Sequence, residues 1–233
     1  MKNLNLRLCK TIKSNFSNSF FSFSKRNYTF LKDTSQLNKD QISIQDTAYQ
    51  FAQNELLPNS HDWDINAHFP IDVYKKCAEL GFSSIYCKDE NGGTGLGRLD
   101  ASLIFEGLAT GDVGFSAYLS IHNMCLWMID SFGTSEQKKE WMPKLISMER
   151  FSSYCLTEPN SGSDAASLKT TAVEKGGDFI LNGSKCFISG GGVSDDYLVM
   201  CKTGEKEISC IKVDKSCKGL SFGAKEKKVT LLF

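Results

Sequence analysis

The sequence predicts an α+β protein: an all-α helical N-terminal domain followed by an antiparallel β domain. Two observations carry this. Between about 35 and 150 apolar residues recur with a helical period. From about 151 to 233 they fall in short runs rich in aromatic and β-branched residues, punctuated by glycine pairs. Helices first and strands afterwards mark separate α and β units. The boundaries read as 1–30 leader, 35–150 helical domain and 151–233 β domain.

Residues 1–32 carry Lys2, Arg7, Lys10, Lys13, Lys25, Arg26 and Lys32 and no acid, while the rest of the chain has 20 basic against 27 acidic residues. Leu4, Leu8, Ile12 and Phe16 would share one helical stripe. A basic, amphipathic, acid-free segment has the composition of a mitochondrial transit peptide, which implies a matrix location. The alternative is a basic tail without structure. The acidic body argues against nucleic acid as a partner. No run of about 18 apolar residues occurs, so no membrane span is expected.

Ile44, Ala48, Phe51 and Ala52 form a one-faced stripe. "FPIDVYKKCAELG" opens at Pro70 and closes at Gly81, with Val73, Cys77 and Leu80 facing in. "GRLDASLIFEGLATG" gives another helix. "FSAYLSIHNMCLWMIDSFG" is apolar nearly all round, the pattern of a buried helix. Thr134 and Gln137 have capping-box spacing. "NGGTGLG" at 91–97 lacks the strand that a dinucleotide fingerprint requires and reads as a loop. Six strands are expected, in "RFSSYCLTE", "KTTAVEK", "DFILNG", "SKCFIS", "DYLVMCK" and "EISCIKVD". Gly176-Gly177 and Asn182-Gly183 read as hairpin turns.

The nine cysteines include no C-x-x-C and sit mostly among apolar residues, so they read as reduced, structural thiols. His61, His68 and His122 have no ligand partners at a useful spacing, and no metal site is expected.

The stretch "YCLTEPNSGSD", 154–164, is a candidate site. Pro159 ends the strand. Asn160 and Gly162 tolerate left-handed backbone, and a chain of alternating hand turns successive N–H groups toward one anion, typically phosphate. Thr157, Ser161 and Ser163 add uncharged hydroxyl donors. The alternative is an ordinary polar turn.

"YCLTEPNSGSDAASLKT" followed by "ILNGSKCFISGGG" resembles the flavin-binding segment of acyl-CoA dehydrogenases, and the resemblance covers about 37 to 229. It implies FAD as cofactor, an acyl-CoA thioester as substrate, electron-transfer flavoprotein as electron acceptor and a homo-oligomer. The reaction would remove an α proton and a β hydride. The likeness in "RLDASLIFEGLATGD" and "YLSIHNMCLWMIDSFG" points to a short branched acyl-CoA: isobutyryl-CoA going to methacrylyl-CoA in valine breakdown. Carried over by position, the cofactor would be lined by Tyr154, Cys155, Leu156, Thr157, Glu158, Pro159, Asn160, Ser161, Gly162 and Ser163, then by Phe187, Ile188 and Ser189. Ser163 would also border the substrate. Phe187 and Ile188 could equally be sheet core.

In the family a C-terminal helical domain follows the β domain and brings the catalytic glutamate. That bundle is lacking here, so the β domain reads as incomplete and the chain as C-terminally truncated. Glu158 and Asp164 are given no role as base, and no catalytic residue is expected. The 233 residues alone would then be inactive.

Overall fold

The computed structural model describes residues 36–205 and 207–224. The leader, and the family-like residues after 224, lie outside the described residues. Helix α1, Lys39–Phe51, opens on a capping box formed by Asn38 and Gln41, and a single π-helical turn, Ala52–Leu56, continues it. Then come α2 (Ser60–Asn66), α3 (Ile71–Glu79), α4 (Arg98–Ala109), α5 (Val113–Phe132) and α6 (Ser135–Ile146).

Pro70 stands at the N-cap of α3, and Gly81, at φ +81°, lets the chain leave it. The side chains facing in are Tyr74 and Cys77; Val73 and Leu80 are only half-buried. Thr134 and Gln137 close the expected capping box on α6. The segment 91–97 is a loop, as its failed fingerprint implies.

Helix α5 is the hub. Tyr118, Phe115, Leu119, Cys125 and Leu126 are all buried on it. Phe115 stacks on Tyr74 with centroids 4.0 Å apart, and Phe69 meets Tyr118 edge-on at 4.7 Å. Phe151 joins this cluster, and Leu198 joins a second one with Cys125, Leu126, Ile129, Met142 and Leu145. The helices therefore pack against the β region through two apolar clusters.

Two polar side chains of α5 tie that interior to its surroundings. Asn123 accepts from the Ile85 amide at 2.7 Å and donates to the Phe82 carbonyl at 2.8 Å. His122 is fully buried, with Nε2 2.9 Å from the Leu145 carbonyl and Nδ1 accepting the Ser152 amide at 3.2 Å. The carbonyl can only accept, so Nε2 carries the proton. Burial pushes this imidazole down to about 4, and it stays neutral. Its role is to join α5, α6 and the first strand.

The sheet has five strands: β1 (Ser152–Cys155), β2 (Thr171–Lys175), β3 (Asp178–Asn182), β4 (Asp196–Lys202) and β5 (Ile208–Asp214). The sequence pattern implies antiparallel pairing throughout; the structure shows a mixed sheet. β4 runs parallel to β1, with Ser152 opposite Asp196 and Cys155 opposite Val199, and touches β2 in the same sense at Lys202. Only β2–β3 and β4–β5 are antiparallel. Forty residues separate the end of β1 from the start of its parallel partner, and strand direction across such a gap leaves no trace in local alternation.

The Gly176-Gly177 turn forms the expected β2–β3 hairpin, both residues being left-handed. Asn182-Gly183 does not turn back, and "SKCFIS" is not a strand. The chain there crosses Thr170 so closely that a Cβ on Gly183 would lie 2.3 Å from its hydroxyl. It is then drawn off the sheet to the end of β1.

Candidate flavin-type site at the end of the first strand

β1 delivers Tyr154 to one face and Cys155 to the other, because successive strand residues alternate. Cys155 is buried, and burial pushes its thiol up to about 12. It lines neither of the two hollows described below. After β1 the chain is extended through Leu156 and Thr157, and then turns.

That turn is not the alternating nest. Glu158 and Ser161 exchange both backbone hydrogen bonds, at 3.0 and 3.1 Å. Among the described non-glycine residues only Ala67, Met148 and Phe187 have positive φ, and Gly162 is not among the glycines that do. Asn160 and Gly162 therefore do not alternate the hand of the chain. The reciprocal bridge satisfies the two amides in a tight turn instead. The Ser161 hydroxyl is likewise turned inward, donating to the Asp164 carbonyl at 2.7 Å. Gly162 and Ser163 stay exposed on the loop's far side.

Glu158 is the loop's internal anchor. Its carboxylate accepts the Lys169 amide at 2.6 Å, the Thr170 amide at 2.9 Å and the Thr170 hydroxyl, and pairs with Lys185 at 2.8 Å. Burial alone would raise its pKa; the Lys185 and Thr170 hydrogen bonds and the two amides outweigh it and hold it at about 2. It is an ionised strut whose oxygens are taken up by Lys169, Thr170 and Lys185, and its low pKa makes it a weak proton acceptor.

Two hollows flank this anchor. One is polar and is lined by Glu158, Pro159, Asn160, Lys169, Thr170, Gly183 and Ser184. The other, about 160 Å³, is lined by Ile121, Tyr154, Leu156, Thr157, Phe187, Ile188 and Ser189. The second brings together the two separately recognised stretches, some thirty residues apart in sequence. The expected residues therefore divide: six line this hollow, three line the polar one, and Cys155, Ser161, Gly162 and Ser163 line neither.

Three features shape the second hollow. The Cys186 amide donates to the Thr157 carbonyl at 2.9 Å and sets the 185–189 segment beside the end of β1. Phe187 adopts φ +57° and is 64% exposed, so it is not sheet core. A left-handed aromatic is costly and places the ring on the rim of the hollow. The Ser189 carbonyl accepts from Ser153 Oγ at 2.6 Å, and Ser189 is one of the residues that line the hollow. Ile121 was not singled out by the sequence, because a helix apolar all round gives no sign of which apolar residue faces a cavity.

Apolar walls, the phenol of Tyr154 and two uncharged hydroxyls, Thr157 and Ser189, suit a flat, largely apolar ring with polar atoms on its rim. Among the described residues no carboxylate lines this hollow, and no group of three metal-ligating side chains occurs. No described helix is long and apolar enough to cross a membrane.

Comparison with known proteins agrees with this architecture. The acyl-CoA dehydrogenase N-terminal domain matches residues 38–149, and the acyl-CoA dehydrogenase middle domain matches 153–232. Mitochondrial isobutyryl-CoA dehydrogenase of Bos taurus is 54% identical over 196 residues, covering 83% of this chain and 47% of the relative. The enzyme of that name from Dictyostelium discoideum is 54% identical over 197 residues, again covering 47% of the relative. The structure of a glutaryl-CoA dehydrogenase from Mycobacterium smegmatis in complex with FADH2 superposes with a TM-score of 0.80 at 29% identity, over 86% of this chain and 52% of that one. The chain spans about half the length of the curated relatives it matches. With both domain signatures in order along the helical and β units, the chain belongs to the acyl-CoA dehydrogenase family.

Proposed function

We propose that this chain forms the helical and β portion of a flavin-dependent, mitochondrial acyl-CoA dehydrogenase that acts on a short branched thioester, isobutyryl-CoA, to give methacrylyl-CoA in valine breakdown. The observation that carries the reading is the convergence of Leu156 and Thr157 with Phe187, Ile188 and Ser189 on one hollow. The 54% identity to two isobutyryl-CoA dehydrogenases supports the substrate. Electron-transfer flavoprotein is the proposed electron acceptor, and a homo-oligomer the proposed assembly.

FAD, when bound, supplies the two-electron acceptor. The chain's own residues would hold and tune it. Ile121, Leu156, Phe187 and Ile188 exclude water from the ring. The Thr157 hydroxyl and main-chain amide donate where negative charge builds up on reduction, and such pre-aimed donors stabilise developing charge at no reorganisation cost. The Ser189 hydroxyl would hydrogen-bond the cofactor near its hydride-accepting position. Gly162 and Ser163, exposed on the loop, would meet the diphosphate, and Ser163 the substrate. The loop would bind through these termini rather than through a nest.

Two substitutions test the assignment. Thr157→Val and Ser189→Ala are each expected to weaken FAD binding about tenfold, the worth of one hydrogen bond to a polar ligand. Ser184→Ala, in the polar hollow, should leave affinity unchanged. Titration of flavin fluorescence reads all three. Equal affinity across the set would remove the flavin from this hollow.

A further inference from the structure

We infer that Lys185 is a positioning residue: its ammonium group orients the Leu156–Thr157 peptide so that the Thr157 N–H is presented to the flavin. The inference rests on the flavin reading above and names how the site is aimed.

Lys185 is a buried cation, its side chain only 9% exposed. Its Nζ makes two bonds of different kinds. One goes to Glu158 at 2.8 Å, the other to the Leu156 carbonyl at 2.9 Å. The first neutralises a buried carboxylate and would suffice to explain a structural ion pair. The second contributes little to the pair; it fixes a peptide plane. No described peptide bond is cis. In a trans peptide the C=O and N–H point in opposite directions. With the Leu156 oxygen tied to Lys185, the Thr157 N–H faces the other way; Leu156 and Thr157 both line the hollow and Lys185 does not.

The next peptide is fixed as well. The Thr157 carbonyl accepts the Cys186 amide, and the Glu158 amide donates to Ser161. Lys185 and Cys186 thus clamp two consecutive peptides at the point where the two stretches meet. A cation on the carbonyl also polarises the peptide and strengthens its N–H as a donor. Such a donor favours the reduced, more negative flavin over the oxidised one.

Lys185 does not line the hollow, so its effect must appear through the peptide. Lys185→Met removes both bonds but leaves Glu158 buried and unpaired. The pair Lys185→Met with Glu158→Gln avoids that charge, and near-UV circular dichroism checks its fold. The expected result is a loss of binding that falls about tenfold harder on reduced than on oxidised FAD. For a two-electron couple this lowers the potential of the bound flavin by about 30 mV. Lys185→Arg, which keeps a donor toward Leu156, should recover most of it. An ion pair serving stability alone would move the urea midpoint and leave the potential where it was; that outcome overturns the assignment. Failure of the unaltered chain to bind FAD would instead overturn the flavin reading itself, and this inference with it.

Discussion

Gly190→Val is expected to cost about 4 kcal/mol of stability and to abolish flavin binding. Gly190 has φ +78°, where a side chain costs roughly 1–2 kcal/mol. A Cβ there would lie 2.4 Å from a Tyr118 ring carbon, 2.6 Å from Ser194 Oγ and 2.7 Å from Ser153 Oγ. None of these atoms can yield cheaply, because they form one buried hydrogen-bonded chain. Tyr118 Oη and Ser194 Oγ are 2.8 Å apart, Ser194 Oγ and Ser153 Oγ 2.8 Å, and Ser153 Oγ donates to the Ser189 carbonyl at 2.6 Å. Each hydroxyl has one proton, and the terminal carbonyl only accepts. Tyr118 Oη also donates to the Ser152 carbonyl at 3.2 Å, so three hydroxyls tie α5 to both Ser152 and Ser189. Overpacking a rigid site costs roughly 1–3 kcal/mol, and a broken buried hydrogen bond adds roughly 1 more. The damage is aimed at Ser189, so binding should fail even where the fold survives at low temperature. Urea unfolding and FAD titration at 10 °C check the two halves of the prediction. A variant that loses less than about 1 kcal/mol and still binds FAD would show that the chain of hydroxyls does not seat Ser189.

Asp196→Ala should destabilise the chain by about 3–4 kcal/mol. The Asp196 side chain is 3% exposed and accepts from Arg150 Nε at 2.8 Å, Arg150 Nη2 at 3.0 Å and Lys212 Nζ at 2.6 Å. Arg150 also pairs with Asp214 on β5, and Lys212 lies 4.9 Å over the Trp141 ring of α6. Two cations therefore face two carboxylates where α6, β1, β4 and β5 meet. Hydrogen bonds to Asp196, set against partial burial, hold the Arg150 guanidinium above its ordinary range. Removing Asp196 leaves two cations to one exposed carboxylate, and an uncompensated buried charge is the expensive case. Asp196→Asn keeps the acceptor geometry and should cost less. Chemical denaturation in low salt reads both, and a loss under about 1 kcal/mol for the alanine variant would mean the network is solvated.

The helical half was legible because its signals are local. Pro70, Gly81, the Thr134–Gln137 box and the apolar period each act within a turn or two of themselves. The hairpin at Gly176-Gly177 was legible for the same reason. What escaped depends on distant partners. Strand direction between β1 and β4, the pull of Thr170 on the 183–189 segment, and the reciprocal bridge that replaces the expected nest all arise from contacts between remote parts of the chain. Tyr74 shows the limit on a smaller scale: a tyrosine in an amphipathic helix reads as borderline, yet its ring stacks on Phe115 in the core. The candidate site was found through its two stretches rather than its geometry. Nothing local could have paired Glu158 with Lys185, twenty-seven residues on.

The central claim is that residues 154–163 and 187–189 together create a flavin-binding surface within these 233 residues. Equilibrium titration of the unaltered chain with FAD, read by quenching of flavin fluorescence, tests it most directly. Saturation at one FAD per folded chain is the predicted result, with the bound absorbance band resolved into vibronic shoulders by the apolar walls. Folded chain that leaves the fluorescence of excess FAD unquenched would contradict it.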